Sequence, residues 1–170
     1  NNGNRTVLVD HLLTGLIVGQ TLHTEAHEIY RALIEATAFG ALTIINRIEE
    51  HGVEVTEVMN TGGLSIKNAT LMQIYADVTG RPMKVAASEQ TCAMGAALFG
   101  AAASGKIALD AAQASCCKTR DTIYSPIAEN QAIYQERLYP LYKSLHDSFG
   151  TTDHRVSLGH VMKELIALRQ

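Results

Sequence analysis

The sequence is short of three things: net charge, cysteine and long apolar runs. Its 14 lysine and arginine residues nearly balance 17 aspartate and glutamate residues, so it has no cationic excess for a nucleic-acid backbone or an anionic membrane. Its longest run of small apolar residues, Cys92 to Ala103, is shorter than the roughly 20 residues of a membrane span. We therefore expect neither nucleic acid nor membrane as a partner, and we interpret the run as a buried helix of a soluble domain.

The few cysteines do not have the spacing of a metal site. Cys116 and Cys117 are adjacent and could form a disulfide only through a strained ring, and Cys92 stands alone. The N-terminal residues lack the charged start and long apolar run of a secretory signal. These features indicate reduced thiols and a cytoplasmic location.

The residues that are present suffice for one ordinary domain. A hydrophobic fraction of 46% in 170 residues is typical of a globular protein with a single core. The opening stretch to Thr21 has loop character with at most a brief strand, which is an unusual way for a domain to begin. We therefore expect the chain to be cut from a longer protein.

A long helix follows this opening. Between Thr24 and about Glu50, apolar residues recur every three or four positions, which predicts a helix with Thr24 as its N-cap. Gly52 is expected to close it. A close approach of another backbone would explain a glycine at position 40, inside the apolar face. The predicted apolar face comprises Ile29, Leu33, Ala36, Gly40, Ile44 and Ile48.

Two strand and helix units come next. A valine-rich run over 53–59 predicts a strand that ends in a glycine turn, and a helix capped by Ser65 or Asn68 follows it. Residues 83–86 and 90–104 repeat the pattern as a second strand and an alanine-rich helix. Strands that alternate with helices pair in parallel, with the helices on the faces of the sheet, so the predicted fold class is α/β.

The remainder, 106–170, is predicted to be a helical tail. A short helix is expected over 110–117, a longer one over 129–148 that Pro140 should kink or split, and a last one over 153–169. The tyrosines of the longer helix are expected to pack in the core rather than to stack on a ligand.

The segment that suggests chemistry is Thr61-Gly62-Gly63, between the first of these strands and its helix. Glycine has no side chain to keep a ribose or a phosphate away from the backbone, and a helix N-terminus offers N–H groups and partial positive charge to an anion. Lys67 and Asn68 would then lie beside the base or the ribose. Taken alone, a tight structural turn explains the glycine pair equally well.

Other candidate residues receive structural interpretations. Gly95 and Ala96 are expected to shape a pocket through close helix packing rather than to line it. His23 and His27 have a spacing that suits a metal, but no third ligand is evident, so no metal site is expected. Asp10 is interpreted as a loop cap.

Several stretches, taken in order, resemble the C-terminal lobe of the FGGY family of carbohydrate kinases, which has the actin-like ATPase (ribonuclease H-like) fold. The resemblance covers roughly the first 100 residues. The opening Asn-Gly-Asn-Arg is most similar to the family members that phosphorylate the ketopentose ribulose. The matching stretches are Asn2-Gly3-Asn4-Arg5-Thr6, residues 33–40, Thr61-Gly62-Gly63 through Lys67-Asn68 to Ala76-Asp77, and Ala87-Ser88-Glu89-Gln90 to Gly95-Ala96-Ala97.

The resemblance implies an ATP-dependent sugar kinase that uses Mg²⁺, in which residues 1–170, the tail included, form the nucleotide-binding lobe. It implies that Gly62 and Gly63 contact ATP and that Lys67 and Asn68 lie on the adenine side. The first phosphate-binding motif, the catalytic aspartate and most of the sugar site would precede this chain. No catalytic residue is therefore expected here, and the chain alone should be inactive.

Two hypotheses of function stay open at this point. One is the ATP-binding lobe of a sugar kinase, and the other is a non-catalytic binding or interaction module whose glycine turn is structural. Titration with ATP and Mg²⁺ distinguishes them. The sequence does not fix the oligomeric state, and a homo-oligomer is compatible with it.

Overall fold

The computed structural model describes residues 3–169, so the first two residues of the Asn-Asn-Gly-Asn-Arg start lie outside it. A π-helical segment, Ile133–Leu138, joins α6 to α7. The strands are β1 Val58–Asn60, β2 Met83–Ala86 and β3 Thr119–Tyr124. The α-helices are α1 Ala26–Glu49, α2 Gly63–Lys67, α3 Ala69–Thr79, α4 Thr91–Ala103, α5 Leu109–Cys116, α6 Ala128–Ala132, α7 Tyr139–Gly150 and α8 Val161–Arg169.

The chain forms two compact units. One, the sheet unit, is the continuous stretch Val55–Ile127, and the other, the split unit, combines the residues up to Glu54 with those from Ala128 onward. None of the helices within residues 3–169 has the length and apolar character needed to cross a membrane.

The sheet unit is built on three strands in the order β1-β2-β3. β1 and β2 pair in parallel, with Val58 opposite Met83, which confirms the predicted α/β pairing. β3 runs antiparallel to β2 and was not predicted. Five of its six residues are exposed, so its sequence lacks the alternation of apolar and polar residues that marks a half-buried strand.

The first strand and helix pair is shorter and more divided than the sequence predicts. β1 begins only at Val58. The single expected helix is divided into α2 and α3, because the helical conformation is interrupted at Asn68. Asn68 is the cap, since its Oδ1 accepts a hydrogen bond of 2.9 Å from the Leu71 N–H. Ser65 is not a cap: it lies inside α2 and its hydroxyl donates to the Gly62 carbonyl at 2.8 Å.

The second strand and helix pair matches the predicted positions, but the predicted burial of its helix is wrong. Gly105 has φ +72° and closes α4. Of the helix residues only Leu98 is buried, and Phe99 is 63% exposed. A helix with no charged residue is apolar on every side, so packing on one side leaves the others uncovered.

The split unit begins with α1. Its N-cap is Glu25 rather than Thr24, because Glu25 and Glu28 form a reciprocal capping box, and Gly52 with φ +83° closes the helix as predicted. The predicted apolar face is wrong, since Leu33 is 53% exposed. In the part of the chain that the structure describes, no heavy atom lies within 4 Å of a Cβ built on Gly40, so no close backbone there explains that glycine. The buried residues of α1 are Ala38, Phe39, Leu42, Thr43 and Ile45.

The tail explains which face of α1 is buried. The Phe39 ring lies 6.0, 6.1 and 5.2 Å from the rings of Tyr134, Tyr139 and Tyr142, which confirms that the tyrosines pack in the core. The regular α-helix is interrupted just before Pro140, as predicted, because proline has no N–H to donate. The last helix is shorter than predicted and starts at Val161.

The glycine turn and the adjoining groove

The glycine turn lies where β1 ends and α2 begins. Gly62 has φ +92° and ψ 169°, a conformation that a side chain would strain. Among residues 3–169, none places a heavy atom within 4 Å of a Cβ built on Gly62 or on Gly63. No side chain caps α2, and Leu64 is 73% exposed. The space that side chains would occupy at Gly62 and Gly63 is therefore open.

A groove of about 300 Å³ adjoins the turn. Thr61 forms one edge of it, and residues of β1, β2, α4, α5, β3 and the link between α5 and β3 form the rest. Most of the lining is apolar, with hydroxyl, amide and ammonium groups from a few residues. The lining residues are Met59, Thr61, Ala86, Thr91, Met94, Gly95, Leu98, Phe99, Leu109, Gln113, Cys117, Lys118 and Thr119.

The structure places the predicted site residues at the two ends of α2. Gly62 and Gly63 begin that helix, while Lys67 ends it and is exposed. Asn68 is half-buried, and its side-chain oxygen is already used in capping α3. Its amide NH₂ is the part of the side chain that remains to be offered to a ligand.

Gly95 has a different place from the one expected. It lines the groove directly, and no heavy atom lies within 4 Å of a Cβ built on it. Its lack of a side chain therefore leaves space in the groove and does not serve close helix packing. The packing interpretation is wrong for this residue because α4 has its small residues turned toward an open surface.

Sequence reasoning missed the contribution of β3 to the groove. Lys118 and Thr119 reach it because β3 pairs with β2 beside them, and the Lys118 carbonyl accepts a hydrogen bond of 2.8 Å from the Ala87 N–H. Gln113 comes from α5, a helix that was predicted but not connected to the site. For Lys118 and Thr119 the sequence shows only that they lie between two predicted helices. That position does not indicate that they lie at a sheet edge.

Charged residues flank the strands of the sheet unit. Lys84 of β2 forms an ion pair of 2.5 Å with Glu57, and Arg120 of β3 lies 4.0 Å from Glu89. Both pairs are partly exposed, so each contributes little to stability. Asp77 is the buried charge of this unit, 2% exposed, and its Oδ1 accepts bonds of 2.8 Å from Gln73 and the Ile127 N–H.

The remaining candidates of the sequence have local roles. Asp10 caps its loop as predicted, because its Oδ1 accepts a 2.8 Å hydrogen bond from the Leu12 N–H. His27 lies 3.2 Å from Glu25. Over residues 3–169, no group of three or more His, Cys, Asp or Glu side chains could hold a metal ion. The three cysteines are exposed free thiols.

A polar triad ties α1 to the tail within the split unit. The Tyr134 hydroxyl donates to Glu35 at 2.7 Å and accepts from Arg31 at 3.1 Å, and Arg31 also bonds Glu35 at 2.8 Å. Burial, and then the bond to Glu35, raises the pKa of Tyr134 to about 12. The bonds to Glu35 and Tyr134 raise the pKa of Arg31 above its usual value. Burial likewise raises the pKa of Tyr142. The triad is a structural cross-link.

Comparison with known proteins assigns the family. Residues 1–104 match the family model described as FGGY family of carbohydrate kinases, C-terminal domain. The chain therefore belongs to the FGGY family of carbohydrate kinases, and within it to the C-terminal domain.

The similar curated proteins are ribulokinases. The ribulokinase of Geobacillus thermodenitrificans is 54% identical over 91% of this chain and 28% of its own length. That of Halalkalibacterium halodurans is 47% identical over 99% of this chain and 30% of its own length. The chain thus spans less than a third of the relatives that it matches.

Solved structures show the same fold. The ligand-bound xylulose kinase of Lactobacillus acidophilus superimposes with a TM-score of 0.76 at 23% identity, over 89% of this chain and 30% of that one. The xylulose kinase of Rhodospirillum rubrum gives 0.70 at 25% identity, over 86% and 30%. The α/β architecture is that of FGGY sugar kinases, part of an actin-like ATPase lobe.

Proposed function

We propose that this chain is the ATP-binding C-terminal portion of a kinase that phosphorylates a ketopentose such as ribulose. The identities of 47% and 54% to ribulokinases support the choice of sugar. The family supports ATP as the phosphate donor, with Mg²⁺ as its counter-ion. The chain alone does not carry the sugar site or the catalytic base of this proposal, so activity belongs to the full-length protein.

The observation that carries the proposal is the open glycine turn. Both glycines leave room where side chains would stand, so a ribose or a phosphate can approach the backbone to van der Waals contact. In this proposal Gly62 and Gly63 contact the nucleotide, and Lys67 and the Asn68 amide lie on its adenine side.

These residues bind and orient the nucleotide rather than react with it. Phosphoryl transfer depends mainly on positioning and charge stabilisation, and Mg²⁺, when bound, neutralises the phosphate oxygens as charge develops. Holding ATP on one lobe and the sugar on another lets closure of the lobes exclude water. No residue of the turn is assigned as a ligand of Mg²⁺.

The decisive experiment fills the turn without disturbing the fold. Gly63 is the first residue of α2, has no positive φ, and has no atom within 4 Å of its Cβ position. Gly63→Leu in the full-length protein should therefore fold normally, yet occupy the space of the nucleotide. We expect the KM for ATP to rise at least about tenfold, equivalent to about 1.4 kcal/mol, with the KM for ribulose within twofold.

Two controls accompany this variant. Gly63→Ala places a smaller group at the same site and should have an intermediate effect. Ala128→Leu adds the same side chain to the exposed first residue of α6 and should leave both KM values unchanged. If Gly63→Leu binds ATP as the wild type does, the turn is structural and the interaction-module hypothesis gains.

A further inference from the structure

One loop of the split unit is closed on itself by a single side chain. The Asn4 and Asp10 backbones exchange hydrogen bonds of 2.7 and 2.9 Å. Between them, the Oδ1 of Asn4 accepts from the N–H groups of Val7 and Leu8 at 3.2 and 3.1 Å. We call the residues from Gly3 to Asp10 the Asn4 loop.

The Asn4 loop holds a strained residue on its surface. Val9 has φ +54° and is 76% exposed. A β-branched residue in the left-handed region costs about 1–3 kcal/mol and persists only where surrounding contacts fix the backbone. Nothing that Val9 buries explains the strain, so the hydrogen bonds of Asn4 maintain it.

Two points of α7, one helical turn apart, hold the loop. The side-chain amide nitrogen of Asn4 lies 3.2 Å from Nε2 of His146. Four residues further along α7, Leu8 lies against Gly150, where any Cβ would overlap its side chain. The loop is thus seated on one face of α7, polar at one end and apolar at the other.

The hydrogen-bond pattern determines the state of His146. Because Oδ1 of Asn4 is committed to two backbone N–H groups, its NH₂ group must face the imidazole and donate. Nε2 of His146 must then accept, so the ring is neutral and carries its proton on Nδ1. That proton is donated to Asp147 at 2.9 Å, and the two bonds agree on one tautomer.

The groups that face His146 come from α7 and from the Asn4 loop. Burial disfavours the Asp147 carboxylate, but hydrogen bonds from Lys143 and His146 outweigh it and hold the pKa of Asp147 below its usual value. Tyr142 stacks on the imidazole with ring centroids 5.8 Å apart. From the loop, the neutral amide of Asn4 faces the ring. Asp153 and His154 line the hollow beside Val7 and Leu8.

We propose that His146 is a positioning residue, which fixes the Asn4 loop as a neutral hydrogen-bond acceptor and releases it on protonation. A protonated ring would present an N–H to the amide NH₂ of Asn4. Rotating that amide by half a turn would relieve this clash only by giving up the bonds to Val7 and Leu8. The proposal concerns the loop and does not depend on the proposed kinase function.

The test is hydrogen exchange of the loop amides in the full-length protein at pH 8 and at pH 5.5. Protection factors correct for the intrinsic effect of pH on exchange. In the wild type we expect the protection of the Val7 and Leu8 amides to fall at least tenfold at pH 5.5.

Two variants of the Asn4 and His146 pair should remove this response. In His146→Gln the amide oxygen accepts from Asn4 without titrating, and in Asn4→Asp the carboxylate accepts from the protonated ring. Both should keep the protection at pH 5.5 within twofold of that at pH 8. His154→Gln, which changes the other nearby imidazole, should respond like the wild type.

Three results would overturn the proposal. They are wild-type protection that is equal at the two pH values, loss of protection at pH 5.5 in both His146→Gln and Asn4→Asp, and a response abolished by His154→Gln. The proposal is supported if only the wild type and His154→Gln lose protection of the Val7 and Leu8 amides at pH 5.5.

Discussion

At the scale of single residues, Tyr134 shows how one hydroxyl can join distant parts of the chain. It is 5% exposed, yet its hydroxyl has both a donor and an acceptor partner on α1. A buried hydroxyl without partners would be costly, so Arg31 and Glu35 allow a tyrosine to stand where a phenylalanine would otherwise be expected.

Tyr134 should make the stability of the protein fall at alkaline pH. Its pKa is raised from 10.0 to about 12, so the unfolded chain loses the proton first. The stabilisation is complete below about pH 10 and is lost as pH rises toward 12. Urea unfolding of the full-length protein should show a decrease of about 1 kcal/mol between pH 9.5 and 11.5 that Tyr134→Phe reduces.

The matched control is Tyr30→Phe, because Tyr30 is a tyrosine of α1 that is 62% exposed. This variant should retain the alkaline decrease of the wild type. Tyr142 contributes with the same sign, so Tyr134→Phe should reduce the slope without abolishing it. An unchanged slope in Tyr134→Phe would show that the triad does not govern the titration.

At the scale of elements, Asn68 has a structural role and a proposed binding role at the junction of α2 and α3. Its oxygen caps α3, and its NH₂ is proposed to meet the nucleotide. Aspartate is as good a cap as asparagine but has no NH₂ to donate. The two roles can therefore be separated by two substitutions at one position.

Asn68→Ala should lower the free energy of unfolding by about 1 kcal/mol because α3 loses its cap. Asn68→Asp should retain stability within about 0.5 kcal/mol while raising the KM for ATP several-fold. Chemical denaturation and steady-state kinetics on the full-length protein measure the two effects. If Asn68→Asp and the wild type have equal affinity for ATP, Asn68 serves only as the cap of α3.

How much of each element could be predicted depended on where its determining contacts lie. The end of α1 followed from Gly52, and the β1 and β2 pairing followed from the alternation of strands and helices. The buried face of α1 could not be predicted, because Phe39 owes its burial to tyrosines far along the chain. β3 could not be predicted, because its strand conformation depends on pairing with β2.

The candidate site divides in the same way. The glycine turn was visible in the sequence because a glycine pair after a strand marks a tight turn with an uncovered backbone. The groove beside it was not, since Lys118 and Gln113 reach it only through the position of β3 and α5. The space beside Gly95 could not be predicted either, because it depends on which other residues line the groove.

At the scale of the whole molecule, the split unit combines residues up to Glu54 with those from Ala128 onward, whereas the sheet unit is one continuous stretch. Its core depends on contacts between α1 and the residues after Ile127. Contacts within the sheet unit are made by 55–127 alone. The two units should therefore respond differently to loss of the tail.

A variant of the full-length protein that is truncated after Ile127 should lose protection from hydrogen exchange in α1 and retain it in β2. Phe39 would be deprived of its three tyrosine neighbours, whereas β2 would keep both of its partner strands. Hydrogen exchange should be measured on peptides from α1 and from β2. The β2 peptide then serves as the internal reference for the α1 peptide. Equal protection of α1 with and without the tail would show that this helix is stabilised without the tyrosines.

The distance along the chain between Arg31 and Tyr134, 103 positions, also sets an order of events during synthesis. When α1 emerges from the ribosome, the rings that will cover it have not yet been translated. The intervening sheet unit is complete first and can fold as translation proceeds. The apolar side of α1 therefore stays uncovered until Tyr134, Tyr139 and Tyr142 have been translated, and during that interval Phe39 is accessible to a chaperone.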